Sequence, residues 1–101
     1  MGKLVRDRIP EIIRASGRDP AVRLLGEDEY PPALLDKAVE EAQELRSATT
    51  AQERLAEAAD VYEVLVAVAA LSGASIEDVA ALAAAKRAER GGFEGRIWLD
   101  G

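Results

Sequence analysis

Apolar residues recur at helical spacing in the middle of the chain, and this pattern predicts two long helices. The first is expected to begin near Pro31 or Pro32 and to run to about Ser47. Six residues form its apolar stripe: Leu34, Leu35, Ala38, Val39, Ala42 and Leu45. The second is expected over residues 51–72, and it is apolar almost all round until Gly73 ends it.

Capping residues predict two further helices nearer the ends of the chain. Ser75 and Asp78 form a variant capping box, which predicts a helix from Ser75 to the glycine pair that begins at Gly91. Pro10 suits a first helical position and Gly17 a C-terminal cap, so a short helix is expected between them. The residues before Pro10 are expected to form an extended arm, because the residue that precedes a proline is biased away from the helical conformation.

Two short segments contain residues that are typical of strands. They are residues 21–25 and the tail segment RIWL at residues 96–99. A small two-stranded ribbon between them is compatible with this pattern. No internal repeat or linker divides residues 1–101, so a single domain is expected. The expected fold class is all-α, a small helical bundle of about four helices. The short ribbon could accompany the helices, and the bundle is expected to assemble as an oligomer.

The composition indicates a core of aliphatic residues. Apolar residues make up 49% of the 101 residues but aromatic residues only 4%, so Leu, Val, Ile and Ala must form the core. A chain of this length buries only about two thirds of its unfolded surface, and oligomerisation is a common way to bury more.

Charge and residue usage exclude several classes of function. The net charge of -6 argues against a nucleic acid polymer as the main partner, because surfaces that bind phosphate backbones are usually basic. The absence of Cys and His removes thiolate nucleophiles, zinc-thiolate sites and imidazole bases. No segment reaches the roughly 20 apolar residues of a membrane span, since Glu63 interrupts the longest candidate. A cytoplasmic protein without a membrane partner is therefore the expectation.

Four acidic residues form two pairs with three-residue spacing on the two long helices. Glu41 and Glu44 form the first pair, and Glu57 and Asp60 form the second. Residues three apart on a helix project from nearly the same side, so each helix offers two carboxylates to whatever lies between the helices. Such a cluster is typical of a site for a hard cation with oxygen ligands.

The surroundings of the second pair favour this interpretation. Helical geometry places Val64 and Leu71 between Glu57 and Asp60 in projection, and only Glu63 interrupts the apolar residues around them. Glu57 and Asp60 are therefore expected on a buried face. Unpaired carboxylates there would be costly or become protonated, and Mg2+ would remove that cost.

A solvated helix face is the alternative interpretation of the first pair. Glu40, Glu41 and Glu44 could form an exposed acidic face that pairs with Lys37 and Arg46. This structural interpretation is favoured for the first pair alone, whereas the four acidic residues taken together favour a metal site.

Four segments together resemble one protein family, the MazG-like branch of the all-α nucleoside triphosphate pyrophosphohydrolases: KLVRDRIP at 3–10, EEAQEL at 40–45, EAADVYEVL at 57–65 and KRAERGGF at 86–93. The pattern of that family is E-E-x-x-E, a spacer and then E-x-x-D. Here 12 residues separate Glu44 from Glu57. Pro31 and Pro32 depart from the family pattern, so the first turn of this helix is expected to start later.

This resemblance implies a metal-dependent hydrolase. It implies a helical bundle that assembles as a homodimer or homotetramer and binds Mg2+, or alternatively Mn2+, through Glu41, Glu44, Glu57 and Asp60. The implied reaction is hydrolysis of a nucleotide between its α- and β-phosphates, which releases a monophosphate and pyrophosphate. A metal ion on the carboxylates would polarise the phosphates and lower the pKa of a bound water.

Glu40 and Glu41 are the candidate catalytic residues. Glu40 could orient the attacking water or complete the shell of a second ion, as the doubled E-E of the family implies. An exposed Glu without a chemical role is the alternative, because Glu40 lies roughly 100° round the helix from Glu41.

Four basic residues are candidates for binding the substrate phosphates. Lys86 and Arg90 lie four apart and share a face of the last helix, although basic residues also favour helix C-termini for electrostatic reasons. Lys3 and Arg6 in the N-terminal segment are similar candidates, with a mobile basic terminus as the alternative.

Three functions follow as expectations. The first is a metal-dependent nucleotide pyrophosphohydrolase that removes noncanonical or surplus nucleotides. The second is hydrolysis of phosphoribosyl-ATP in histidine biosynthesis. The third is a helical oligomerisation or regulatory module whose acidic residues are structural.

Overall fold

Four α-helices form the regular structure of residues 2–101, which are the residues described by this computed structural model. The helices are α1 (Ile9–Ala15), α2 (Tyr30–Ser47), α3 (Ala51–Leu71) and α4 (Ile76–Arg90). The all-α class and the four predicted helices are confirmed. Neither residues 21–25 nor residues 96–99 form a strand, so the two-stranded ribbon is not found in the described part of the chain.

The helix ends follow the capping residues that the sequence contains. The Thr50 hydroxyl accepts a hydrogen bond from the Glu53 N–H at 3.1 Å, and α3 begins there. Ser75 and Asp78 form the expected capping box at the start of α4. Gly91 follows α4 with φ of 83°, a conformation that glycine adopts at little steric cost.

The start of α2 agrees with the expected start near Pro31 within one residue. The helix begins at Tyr30, so the later first turn expected from the departure of the two prolines from the family pattern is not found. Pro31 and Pro32 both lie in the first turn, where N–H groups have no intrahelical partner and a proline removes nothing. The preceding turn supports this start, because the Tyr30 N–H donates to the Gly26 carbonyl at 3.0 Å.

The core of the isolated chain is small. α2 packs extensively against α3, and α4 packs less extensively on α3. Three residues are buried among those described: Leu34 on α2, and Val64 and Ala69 on α3. Leu34 is the most completely buried of the three, with 3% of its surface exposed. The contact between α2 and α3 is therefore the centre of the fold.

The expectation that the second long helix is buried is wrong for the isolated chain. One face of α3 packs on α2 through Val64, and Val61 and Val68 beside it are partly covered. Leu55 and Tyr62 lie on the opposite face and are exposed, because no element covers them fully. The apolar pattern of α3 therefore exceeds what this chain alone buries.

The isolated chain exposes much more surface than a closed globule of its size. Its accessible surface is 8739 Å2, whereas about 5,500 Å2 is expected for a compact monomer of this mass. Its radius of gyration is 17.1 Å, compared with about 13 Å for a compact domain of similar length. The excess of about 3,200 Å2 per chain is larger than the roughly 1,000–2,500 Å2 that each partner buries in most obligate interfaces.

Within residues 2–101, none of the helices taken singly has the length and apolar character needed to cross a membrane. α3 and α4 meet that requirement only as a pair, and they are bent by 102° at the break between them.

Candidate functional site

Three carboxylates from α2 and α3 converge in the structure. One oxygen each of Glu41, Glu57 and Asp60 lies within 4.8 Å of the other two. Glu41 is on α2 and the other two are one turn apart on α3, so the packing of α2 on α3 brings them together. Two oxygens bound to one Mg2+ lie at most about 4.2 Å apart. Small rotations of the side chains would therefore close this group around an ion.

Glu44 lies near the three-carboxylate group without belonging to it. The group that could hold an ion among the described residues does not include a Glu44 oxygen. The charge of Glu44 nevertheless contributes to raising the pKa of Glu57, and its own side chain is exposed on α2. The structure thus brings three of the four predicted metal ligands together and leaves the fourth at the periphery.

The electrostatic environment of Glu57 is unfavourable for a charged side chain. Partial burial raises the pKa of Glu57, and the nearby negative charges of Asp60, Glu44, Glu41 and Glu53 raise it further. Both causes disfavour the ionised carboxylate. A cation bound between the carboxylates would remove much of this repulsion.

The carboxylates are less buried than the sequence indicated. Asp60 is 41% exposed and Glu57 is partly exposed, and no charged residue is fully buried among residues 2–101. The expectation of a buried face for Glu57 and Asp60 is therefore wrong for the isolated chain. Glu41, from the first pair, is only 13% exposed, and its Oε1 lies 3.3 Å from Lys37 Nζ.

The N-terminal arm, residues 2–8, lies across the acidic cluster. Arg6 Nη2 donates to Asp60 Oδ1 at 2.6 Å. Lys3 Nζ lies 3.8 Å from Glu40 Oε1. The arm is thus attached to α3 by Arg6 and to α2 by Lys3, and two of the predicted phosphate-binding residues lie beside the carboxylates.

Lys37 is a site residue that the sequence pattern indicated only as the partner of an exposed acidic face. Its Nζ lies 3.3 Å from Glu40 Oε1 and 3.3 Å from Glu41 Oε1, and its side chain is only 15% exposed. The helical spacing of Lys37 in the sequence could have indicated its place in the site. Lys37 follows the buried Leu34 by three residues and precedes Glu41 by four, so it lies between the core and the acids on one helix face.

A pocket of about 450 Å3 adjoins the acidic cluster between the N-terminal arm, α2 and α3. This volume is within the range of about 300–1,000 Å3 that is typical of small-molecule sites. Its charged lining combines three basic and four acidic residues: Arg6, Arg8, Lys37, Asp7, Glu41, Asp60 and Glu63. The aliphatic side chains of Leu34 and Val64 and the ring of Tyr30 form part of its wall. Arg8 and Tyr30 are pocket residues that the sequence pattern did not indicate.

Lys86 and Arg90 are not brought to this site within one chain. Both are exposed on α4, which packs on α3, and neither lines the pocket. Their neighbour Arg87 pairs with Glu94 in the segment that follows α4. In the described chain, the basic groups next to the cluster come from the N-terminal arm and α2 instead.

The chain is similar to a protein of Mycolicibacterium smegmatis (strain ATCC 700084 / mc(2)155) that is described only as uncharacterized. The two are 62% identical over 50 residues, which are 50% of this chain and 51% of that protein. The similarity thus spans about half the length of the relative. No protein-family model matches the chain, and no solved structure matches it.

Proposed function

We propose that the protein is a metal-dependent nucleotide pyrophosphohydrolase of the MazG-like type, which hydrolyses a nucleoside triphosphate between its α- and β-phosphates. The observation that supports this proposal best is the convergence of Glu41, Glu57 and Asp60 within 4.8 Å. Glu41 and Asp60 line a pocket of about 450 Å3 whose charged lining also includes three basic residues. Carboxylates and cations at one edge of a pocket are the groups that phosphoryl transfer requires.

The donor set suits a hard divalent cation. Glu41, Glu57 and Asp60 offer oxygen ligands only, which Mg2+ and Mn2+ prefer. The local charge also favours a cation, because the carboxylates outnumber the basic groups: Glu40, Glu41, Glu44, Glu53, Glu57 and Asp60 against Lys3, Arg6 and Lys37. Arg6 pairs with one oxygen of Asp60, and a carboxylate can accept several partners. A bound ion would supply charge neutralisation and an acidified water.

The basic residues of the pocket are suited to hold the phosphates. Arg6 and Arg8 line it from the N-terminal arm, and Lys37 lines it from α2. An Arg guanidinium can donate two parallel hydrogen bonds to phosphate oxygens, and Lys contributes a compact positive charge. The apolar wall and Tyr30 would then contact the nucleoside.

Glu40 is the group we assign to orienting the attacking water. Lys37 lies 3.3 Å from its Oε1, and Lys3 lies 3.8 Å from the same oxygen. These two contacts hold the carboxylate beside the cluster without placing it in the three-carboxylate group. Its second oxygen would accept the hydrogen bond from the water.

The proposal predicts a specific product. Purified protein with Mg2+ or Mn2+ should release pyrophosphate, and not orthophosphate, from at least one nucleotide in a panel of ribo- and deoxyribonucleotides that includes phosphoribosyl-ATP. Glu41→Gln and Asp60→Asn should abolish this release while far-UV circular dichroism stays unchanged.

Glu89→Gln is the matched control, because Glu89 is an exposed glutamate on α4 outside the pocket. Pyrophosphate release at the normal rate by both cluster variants would overturn the assignment of the site. Absence of product from every nucleotide would overturn the function. Preferred hydrolysis of phosphoribosyl-ATP would assign the reaction to histidine biosynthesis.

The large exposed surface favours a second candidate, a helical oligomerisation module. The chain exposes about 3,200 Å2 more than a compact monomer of its mass, and we propose that it assembles as a homodimer or homotetramer. Arg6 and Asp60 would then form a structural ion pair. A melting temperature that does not respond to Mg2+, together with no product from any nucleotide, would favour this candidate over the enzyme.

A further inference from the structure

We infer that the segment after α4, residues 93–99, docks in the groove between α3 and α4 of a second copy of the chain. We call this segment the C-terminal arm. Four of its seven residues are large and apolar, and each is 84–97% exposed in the isolated chain: Phe93, Ile97, Trp98 and Leu99. Such a concentration of exposed apolar side chains is typical of an interaction segment.

The first part of the C-terminal arm is held in a defined direction. Arg87 on α4 donates a hydrogen bond to Glu94. Gly92 lies directly beside the ends of the Arg87 and Glu94 side chains, so the ion pair closes over the start of the arm. The Arg96 N–H donates to the Phe93 carbonyl at 3.1 Å, and Arg96 has a positive φ of 54°. The arm is therefore a turned segment attached to the end of α4.

The proposed receptor is an open groove of about 270 Å3 between α3 and α4, lined by Tyr62, Leu65, Ile76, Glu77, Val79 and Ala80. This volume is smaller than that of most small-molecule pockets, and it suits one or two side chains of a peptide segment. Tyr62 and Leu65 belong to the α3 face that α2 does not cover.

The charges of the arm and the groove are complementary. The arm carries Glu94, which pairs with Arg87 of its own chain, and Arg96, and the rim of the groove carries Glu77. Neither Arg96 nor Glu77 forms a salt bridge with another residue in the range 2–101. Docking would bring an acidic and a basic group together at the edge of an apolar contact, as is usual for the rim of an interface.

A second copy is the partner that the surface area favours. The excess of about 3,200 Å2 per chain exceeds what one interface of standard size buries, about 800 Å2 on each partner. In a symmetric pair each copy supplies one arm and one groove, so two arms and two grooves are covered at once. The arm of one chain begins beyond Arg90, ten residues and roughly 15 Å along α4 from the groove residue Ala80. To reach the groove of its own chain, the arm would have to fold back along α4. Docking in the groove of a second copy does not require this.

Crosslinking tests this docking directly, because the chain contains no cysteine. We would combine Val79→Cys in the groove with Leu99→Cys in the arm and treat the protein with a short flexible bis-maleimide. Docking between copies predicts covalent dimers on a denaturing gel. The pair Val79→Cys with Leu24→Cys is the control, because Leu24 is an equally exposed leucine outside the arm and the groove. It should give at least about tenfold less dimer.

Trp98 provides an independent measurement, since it is the single tryptophan of the chain. Its emission should be blue-shifted in the assembled wild-type protein and should move to longer wavelength in Val79→Asp, with helix content checked by circular dichroism. Crosslinked monomers would show that the arm folds onto its own chain. Dimer no more abundant than in the control, or solvent-exposed Trp98 emission in the assembled wild type, would also overturn the inference. None of these outcomes depends on nucleotide hydrolysis.

Discussion

Arg6 and Asp60 are 54 positions apart in the sequence, and their side chains form an ion pair of 2.6 Å in the structure. This pair attaches the N-terminal arm to α3 and places a guanidinium on one of the three carboxylates that could hold a cation. The same guanidinium lines the adjoining pocket. Arg6 therefore lies where it can act on both proposed ligands, the cation and the nucleotide.

Arg6→Gln should have opposite effects on these two ligands. Without the guanidinium a cation meets less repulsion at Asp60, so Mn2+ should bind about twofold to fivefold more tightly, which corresponds to the value of an exposed ion pair. The nucleotide loses a cationic partner, so its KM should increase. Electron paramagnetic resonance of free Mn2+ measures the first effect, and pyrophosphate release at varied nucleotide concentration measures the second.

Arg23→Gln is the control for this experiment. It removes the same charge from a surface ion pair with Glu29, outside the pocket. An equal gain in Mn2+ affinity in both variants would attribute the effect to net charge alone and would contradict a specific role of Arg6.

Glu57→Gln should stabilise the cation-free protein at pH 7. Partial burial and the neighbouring carboxylates, Asp60 first, raise the pKa of Glu57 in the folded state. A carboxyl group with a raised folded pKa contributes stability below its unfolded pKa, and this contribution is lost as the pH rises through the folded pKa. The variant should therefore melt at a higher temperature than the wild type at pH 7 in chelator, and at a similar temperature near pH 4. A lower melting temperature at pH 7 would contradict the repulsion.

Glu29→Gln should change the melting temperature at pH 7 in the opposite direction to Glu57→Gln. The hydrogen bonds from Arg23 lower the pKa of Glu29 to about 2, and the Gly26 N–H adds to this effect. A carboxyl group with a lowered pKa contributes stability above its unfolded pKa, and this contribution is lost as the pH falls through about 2. The variant should therefore melt at a lower temperature than the wild type at pH 7, and the difference should shrink on acidification.

The Mn2+ affinities of Glu41→Gln and Glu44→Gln should distinguish a direct metal ligand from a nearby acidic residue that does not bind the ion. Loss of an outer partner of a metal site usually costs about 10–100-fold in affinity. Because Glu41 belongs to the three-carboxylate group, its variant should lose at least about 100-fold in Mn2+ affinity. Glu44 acts only through its charge on Glu57, so its variant should lose about tenfold or less. Equal losses measured by calorimetry would make Glu44 a direct ligand.

Local patterns in the sequence predicted the local features of this structure. Ser75 and Gly91 mark the ends of α4 correctly because a cap is formed by residues within one turn of each other. The convergence of Glu41 with Glu57 and Asp60 also follows from spacing, given two adjacent helices. These features depend on neighbouring residues, which a sequence displays directly.

Burial could not be predicted in the same way. The apolar pattern of α3 would be identical whether its second face is covered by its own chain or by another copy, and in the isolated chain Leu55 and Tyr62 are exposed. The strand propensity of residues 21–25 and 96–99 likewise needed a pairing partner that the described chain does not provide. The contact of the largely buried Lys37 with Glu41 also could not be predicted, because the burial of both side chains depends on the packing of α2 on α3.

Leu34 and Leu35 are adjacent on α2 but differ in exposure. Alanine variants of the two residues can therefore distinguish burial within one chain from burial between copies. Leu34 is 3% exposed and Leu35 is 53% exposed. Leu34→Ala should lower the free energy of unfolding by about 2–5 kcal/mol at every protein concentration, because it leaves a cavity in the contact between α2 and α3. Leu35→Ala should matter only at concentrations where copies assemble and cover that face. Urea unfolding at two concentrations about a hundredfold apart distinguishes these cases, since assembly makes stability depend on concentration. A Leu35→Ala effect within about 0.5 kcal/mol at both concentrations would show that this face of α2 remains in solvent.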